Sequence, residues 1–183
     1  FKQYLLKRRI ETPLPPGTFL YKQNKPDEAM VKYYLELGYQ RLFGMLLWAA
    51  RGVFPECLEG TSMMGRLITT PMKEAWDGLC WMLTYMLQRK TRGIRFSSKG
   101  NNSPVALVDA SNKPDPTCGK CQYGYCIMLM GGPVLTVSKK ANHVGQSAAH
   151  NEYMALCMAA RHVAWLRDLL SELDLTEITP EPT

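Results

Sequence analysis

Apolar residues recur at helical spacing through residues 27–90, and this pattern changes to strand-like runs further on. An apolar residue every three or four positions from Met30 to Ala49 predicts a helix that starts behind Asp27 as its N-cap and is interrupted near Gly38 and Gly44. Two further helices are predicted, one opening at Pro55 and running to about Leu67, the other running from Pro71 to Arg89 and Lys90. The preceding residues 1–26 are expected to be extended, because the Pro-rich run Thr12 to Gly17 cannot continue a helix.

Beyond Gly93 the pattern favours strands and then one long helix. Strands are predicted at Ile94–Phe96, Val105–Val108, Tyr123–Met130 and Val134–Ser138, the last two joined as a hairpin through Gly131–Pro133. An amphipathic helix is predicted from Ser147 to Leu173, with Tyr153, Leu156, Ala160, Ala164 or Trp165, and Leu169 on its inner side. The second part is therefore an antiparallel meander covered by a helix.

Composition limits the class of protein. The 183 residues are 46% hydrophobic and 21% charged, as in an ordinary globular chain of one domain or slightly more. No apolar run is long enough to span a membrane, and the start at Phe1 shows no signal-peptide pattern. We therefore expect a piece of a longer intracellular protein, in a cytoplasmic particle or the nucleus, without membrane contact.

Charge divides unevenly along the chain. The net charge is +6, but residues 1–100 hold 16 basic and 8 acidic side chains, whereas residues 101–183 hold 6 and 8. A basic first part suits contact with phosphates, although a solvated surface explains the same excess of basic side chains.

Two carboxylates stand out in the second part. Asp109 directly follows an apolar strand and precedes small residues, which places a charged group at the sheet rim with room for a ligand. Glu152 lies one turn into the long helix, close to its apolar face, where an acidic side chain needs a partner or a metal. Each also has a plainer interpretation, Asp109 as a turn residue and Glu152 as a partner of the helix dipole.

The order of several segments points to a family. These are the proline segment Thr12–Gly17, the helices Tyr39–Ala50 and Trp76–Met86, the exit Arg92–Phe96, the strand end Val108–Ser111, the hairpin Gly124–Val134, Ser138–Lys140, and the helix segments Ser147–Leu156 and Ala164–Leu170. In order and spacing they resemble the C-terminal part of the Pol polyprotein of copia-type LTR retrotransposons, which comprises the end of the reverse transcriptase, its connecting helices and the start of the ribonuclease H domain.

The resemblance implies an α/β (α+β) fold in two parts. Residues 1–96 would form a helical thumb- or connection-like segment of reverse transcriptase. Residues 97–183 would form a ribonuclease H-like domain with a mixed sheet and a long covering helix, truncated at its C-terminus.

The resemblance also implies a chemistry. Ribonucleases H cleave the RNA strand of RNA–DNA hybrids with two Mg²⁺ ions, for which carboxylate oxygens are suitable ligands. Asp109 would bridge the two ions and Glu152 would bind one of them. Arg89, Lys90, Arg92 and Arg95 would contact phosphates of the hybrid. The expected partners are this hybrid, the remainder of the polyprotein and other subunits of a larger assembly.

Three departures from the family pattern affect the expected activity. His150 stands where the family has a Glu two positions before the catalytic one, and Ser111 stands in place of a second Asp. The third catalytic Asp of the family would lie beyond Thr183. We therefore expect little or no nuclease activity from this chain alone.

Two other functions remain open at this point. A degenerate or domesticated retroelement fragment could serve as a non-catalytic structural or binding subunit of a larger assembly. Alternatively, Cys118 and Cys121 have the spacing of half a zinc site, with Cys126 and His143 as possible recruits, although no second pair of ligands is apparent. The four tryptophans, Trp48, Trp76, Trp81 and Trp165, are expected to pack in cores.

Overall fold

The computed structural model describes residues 1–97, 99, 103–111 and 115–175. It divides into two compact units, Phe1–Gly93 and Ile94–Thr183, which we call unit 1 and unit 2. Helices dominate unit 1, and unit 2 combines an antiparallel sheet with one long helix. The predicted α+β fold class is confirmed, and the order of elements in unit 2 is consistent with the beginning of a ribonuclease H-like fold. No helix among the described residues is long and apolar enough to cross a membrane.

Unit 1 contains four helices: α1 (Glu28–Glu36), α2 (Tyr39–Gly52), α3 (Leu58–Gly65) and α4 (Lys73–Gln88), with 3-10 turns at Lys2–Tyr4 and Pro55–Cys57. As predicted, Asp27 caps α1, and its carboxylate accepts hydrogen bonds from the backbone of Ala29 and Met30. Gly38 separates α1 from α2 with a φ of 94°, a value that strains residues with a side chain. Gly44, by contrast, lies inside α2 without breaking it.

The core of unit 1 lies where α2, α3 and α4 meet. Its fully buried members include Tyr39, Leu42, Met64, Leu79 and Met82. The Tyr39 hydroxyl donates a 3.0 Å hydrogen bond to the Met64 carbonyl, so the one polar atom of this large side chain is satisfied.

The extended N-terminal segment is fastened along α4 by polar side chains of that helix. The Gln88 amide accepts from the backbone of Ile10 at 2.9 Å and donates to the Arg8 carbonyl at 2.8 Å. Thr84 accepts from the backbone of Leu6 at 3.1 Å, and the Trp81 indole donates to the Thr12 carbonyl at 2.9 Å. Residues 1–14 are therefore a structural part of unit 1.

Unit 2 is built on three strands, β1 (Val105–Ala110), β2 (Gln122–Leu129) and β3 (Gly132–Lys140), arranged in the order β1-β2-β3. Both pairs are antiparallel, and the register places Asp109 opposite Gly124, which in turn lies opposite Ser138. The β2–β3 turn is Met130-Gly131, and both residues have positive φ, as two-residue hairpins of this type require. The predicted strand at Ile94–Phe96 is wrong, because these residues join no sheet ladder.

Helix α5 (Ala148–Glu172) covers one face of this sheet, with Ser147 as its N-cap. Its buried residues are Asn151, Ala155, Ala159, Leu166 and Leu170. The inner side that the sequence predicted is therefore wrong, since Tyr153, Leu156 and Trp165 are all at least half exposed. The helix is apolar on several sides, and small alanines, which fit closest to a sheet, occupy the buried one.

A charged cluster anchors the loop between β1 and β2. Asp115 is only 5% exposed, and its carboxylate accepts from the Lys140 ammonium at 2.6 Å and from the hydroxyl and backbone N–H of Thr117. Burial raises the pKa of Asp115, but the hydrogen bonds from Lys140 and Thr117 outweigh it and lower the pKa to about 2. The loop is thus tied to the end of β3 by an ion pair that is largely withdrawn from water.

The buried core predicts a contrast between two leucines of α4. Leu79 is fully buried and Leu87 is exposed, so Leu79→Ala leaves a cavity whereas Leu87→Ala does not. We expect Leu79→Ala to lower the free energy of unfolding by about 3 kcal/mol and Leu87→Ala by less than about 1 kcal/mol. Urea unfolding followed by tryptophan fluorescence measures both; equal losses would contradict this placement of the core.

The Asp115–Lys140 pair predicts a pH dependence of stability. Because the pKa of Asp115 is lowered in the folded chain, its stabilisation is present above the unfolded pKa of about 4 and is lost as the pH falls towards 2. The loss should approach about 2 kcal/mol. Thermal unfolding measured from pH 7 to pH 2 should show this decline. At pH 7, Asp115→Asn should be less stable than the parent chain. Its stability should also fall less between pH 7 and pH 2, by the amount that protonation of Asp115 costs the parent chain. A pH profile of stability that is the same in the variant and the parent chain would refute the assignment.

Candidate functional site

Asp109 lies in β1, one residue before the end of the strand, and is exposed. Side chains alternate between the two faces of a strand, and Val108 packs against the core beneath α5. Asp109 therefore lies on the opposite face of the sheet, as does Leu107. Directly across the ladder lies Gly124, and beyond it Ser138. Gly124 has no side chain, and a Cβ placed there would lie 3.2 Å from the Val137 carbonyl oxygen.

Glu152 lies just after the first turn of α5 and is also exposed. The start of α5 adjoins the start of β2, since the Asn151 amide donates to the Cys121 thiol at 3.2 Å. The start of β2 in turn pairs with the end of β1, through Tyr123 and Ala110. The fold therefore brings Glu152 and Asp109 to the same end of unit 2, and α5 runs antiparallel to β1.

These two carboxylates are suitable in kind for Mg²⁺, which prefers hard oxygen ligands. They are too few in number: the described ranges contain no group of three or more His, Cys, Asp or Glu side chains that could hold a metal ion. The residues present therefore do not by themselves fit a two-metal centre.

The four basic residues proposed as phosphate contacts differ in their surroundings. Arg89 stacks over the Tyr85 ring and pairs with Glu11 at 3.4 Å, and Arg92 pairs with Glu56 at 2.7 Å. Both guanidinium groups thus help to hold the end of α4. Lys90 lies just after α4 and is exposed, whereas Arg95 belongs to unit 2.

The thiols of Cys118 and Cys121 have separate partners. Cys118 is exposed, and its sulfur accepts from the Lys140 ammonium at 3.2 Å. Although burial raises its pKa, hydrogen bonds from the Lys120 backbone and from Lys140 lower it overall. Cys121 is buried and accepts from Asn151.

One exposed helix face was missed by the sequence interpretation. Trp48 is 81% exposed, so the expectation that it packs in the core is wrong; the same holds for Trp165, whereas Trp76 and Trp81 do pack in unit 1. On α2, Trp48 shares the outer face with Arg41, Gly44 and Met45, all exposed, and Arg51 flanks it. The signal was available, because Trp48 lies half a helical turn away from the stripe Leu42, Leu46 and Ala50.

Comparison with known proteins gives three informative relatives. The chain is 27% identical over 169 residues to the retrovirus-related Pol polyprotein from transposon TNT 1-94 of Nicotiana tabacum, which covers 91% of the chain and 12% of the polyprotein. It is 26% identical over 122 residues to the retrovirus-related Pol polyprotein from transposon RE2 of Arabidopsis thaliana, which covers 66% of the chain and 8% of the polyprotein.

A third relative has a different kind of name. The chain is 27% identical over 128 residues to the secreted RxLR effector protein 161 of Plasmopara viticola, which covers 70% of the chain and 90% of that protein. No protein-family model matches the chain. No solved structure matches it either. The chain spans only a small part of the transposon polyproteins, and its similarity to them supports an origin in a retroelement Pol polyprotein.

Proposed function

We propose that this chain is the ribonuclease H-like region of a copia-type Pol polyprotein, preceded by the connection to reverse transcriptase. In the complete polyprotein it would cleave the RNA strand of RNA–DNA hybrids, with Asp109 and Glu152 as Mg²⁺ ligands. One observation carries the proposal: the order β1-β2-β3-α5 places a carboxylate near the end of the first strand and another just after the first turn of the helix, at the same end of unit 2.

The surroundings of Asp109 support a role in binding. The carboxylate lies on a paired strand, so its backbone is held in place, and the residue opposite it, Gly124, has no side chain. A bound Mg²⁺ would supply an activated water and neutralise phosphate charge. Since two carboxylates are only a partial set of ligands, the remaining ones would come from outside the described residues.

Contact with the hybrid would involve basic residues of unit 1 and Arg95 of unit 2. Arg89, Lys90, Arg92 and Arg95 remain the proposed phosphate contacts from the sequence. The outer face of α2 adds a second surface, because Trp48 offers an apolar plane while Arg41 and Arg51 offer positive charge. Aromatic planes next to arginines suit nucleic acids, whose bases and sugars pack on the ring while their phosphates pair with the guanidinium groups.

The nuclease proposal predicts the effect of two substitutions in the complete polyprotein. With Mg²⁺ and a labelled RNA–DNA hybrid, Asp109→Asn and Glu152→Gln should each lower the cleavage rate by about 100-fold or more, because each removes a negative metal ligand. The isolated 183-residue chain should cleave little or not at all.

Glu172→Gln is the matched control for Glu152→Gln, since it makes the same change at the other end of α5. It should leave the cleavage rate unchanged. A complete polyprotein that binds the hybrid but does not cleave it would refute the nuclease proposal and favour the alternative, a non-catalytic structural or binding subunit.

The α2 face predicts a binding defect that is separate from cleavage. Trp48→Ala should weaken the binding of an RNA–DNA hybrid by about tenfold. Arg41→Ala and Arg51→Ala should each lower by about one the slope of the logarithm of the binding constant against the logarithm of the salt concentration, because each removes one phosphate contact. Fluorescence anisotropy at several salt concentrations measures both effects. Tyr33→Ala, an exposed aromatic residue on α1, is the control; an equal loss in this variant would exclude a specific role for the α2 face.

A further inference from the structure

Two cysteines with a spacing typical of redox chemistry have no part in the proposed nuclease. Cys118 and Cys121 are separated by Gly119 and Lys120, and both are free thiols. The same spacing suits half a zinc site, but the described ranges contain no group of three or more His, Cys, Asp or Glu side chains that could hold a metal ion. A Cys-x-x-Cys pair also suits thiol–disulfide exchange, in which one thiol attacks a disulfide and the other resolves the product.

Cys118 has the surroundings of an attacking thiol. It is exposed, and its sulfur accepts a hydrogen bond from the Lys140 ammonium at 3.2 Å. The buried Asp115 holds Lys140 in this place, since its carboxylate accepts from the same ammonium at 2.6 Å. Burial raises the pKa of the Cys118 thiol, but hydrogen bonds from the Lys120 backbone and from Lys140 outweigh it and lower that pKa overall. More of Cys118 is therefore thiolate at neutral pH, and the thiolate is the form that attacks a disulfide.

Cys121 has the opposite surroundings. It is 5% exposed, and its sulfur accepts from the Asn151 amide at 3.2 Å. A dissolved disulfide therefore reaches Cys118 and not Cys121, which fixes the order in which the two thiols react. Between them, Gly119 has a φ of 68° and no side chain, so this segment can bend to bring the two sulfur atoms together at low conformational cost.

The other four cysteines lack this combination. Cys57 and Cys80 are buried in unit 1, where burial raises the pKa of their thiols to about 12 and about 11. Cys126 is half-buried within β2. Cys157 is exposed on α5, but its sulfur accepts no hydrogen bond from any described residue. Nucleophilic reactivity is therefore concentrated at Cys118.

We propose that Cys118 and Cys121 form a thiol–disulfide exchange site whose substrates are low-molecular-weight disulfides. The Cys118 thiolate attacks one sulfur of the substrate, the S–S bond breaks, and one half leaves as a thiolate that takes up the proton given up by Cys118. Cys118 is then in a mixed disulfide with the other half. The Cys121 thiol attacks the Cys118 sulfur and releases that half, which takes up the proton of Cys121. The net result is that two thiols of the chain are oxidised to one disulfide, and the substrate is reduced to two small thiols.

The hydrogen bonds at the two sulfurs also affect how stable the disulfide is. Lys140 at Cys118 and Asn151 at Cys121 stabilise the reduced form, because a disulfide presents no thiolate to the ammonium group. Contacts that favour the reduced form make a disulfide easier to reduce. We therefore expect a disulfide that forms in oxidised glutathione and is opened again by reduced glutathione, and not a permanent crosslink.

The test is oxidation of the intact, fully reduced 183-residue chain with excess oxidised glutathione. Samples are quenched with acid over time, the remaining thiols are alkylated in denaturant, and the intact mass is measured. The parent chain should lose two of its six thiols, carry no bound glutathione at the end and regain all six thiols in reduced glutathione. Cys121→Ser removes only the second step, so it should accumulate a mixed disulfide with one glutathione. Cys118→Ser should react at least about tenfold more slowly and form no internal disulfide.

Cys157→Ser is the matched control for Cys118→Ser, because it removes another exposed thiol; it should change neither the rate nor the product. Far-UV circular dichroism verifies that each variant is folded, and Cys121→Ala replaces Cys121→Ser if serine is not tolerated at this buried position. A parent chain that forms no internal disulfide or retains bound glutathione overturns the proposal. So does a Cys118→Ser variant that reacts as fast as the parent chain, a Cys121→Ser variant that still forms an internal disulfide, or a disulfide that reduced glutathione does not open.

Discussion

The packing of α5 on a single face of a three-stranded sheet is the constraint on which unit 2 depends. Ala159 and Ile127, both almost completely buried, form the contact, and Leu166, Leu170 and Tyr125 complete the core around it. Small residues on the helix allow a close approach to the sheet, and this approach leaves β3 less covered than β1. The position of the helix therefore determines the end of unit 2 at which Glu152 lies, which is also the end of β1 that carries Asp109.

Much of the element order was predictable because periodicity and capping agree along the chain. Asp27 before an apolar stripe, Ser147 before α5 and Gly131 in the β2–β3 turn each act over a few residues, and the structure confirms them. The turn itself is Met130-Gly131, one residue earlier than predicted, because Gly132 and Pro133 already belong to β3. Ile94–Phe96 shows the opposite case. These residues resemble a strand locally, but a strand exists only through a partner, and a short segment carries no information about whether a partner is present.

The errors in the predicted faces have a common physical cause. Large aromatic residues usually bury their area, which predicts core positions for Trp48 and Trp165, yet exposure depends on which side of a helix meets its neighbours. On α5 the alanines Ala155 and Ala159 were the informative residues, since a helix that packs tightly on a sheet needs small side chains at the contact. Asp109 and Glu152 could be singled out from the sequence, but their location at one end of unit 2 follows only from the direction of α5.

The two-residue turn between β2 and β3 has a consequence for the order of folding. β2 and β3 are adjacent in sequence, so their hairpin closes a short loop at low entropic cost. Pairing of β1 with β2 requires closure of the longer loop that joins them. Helix α5 must return across about 40 residues to cover β1. Of the contacts in unit 2, the hairpin therefore closes at the lowest entropic cost. During synthesis on the ribosome, β1 emerges before β2, β3 and α5, so its apolar side chains have to await a covering helix about 40 residues downstream.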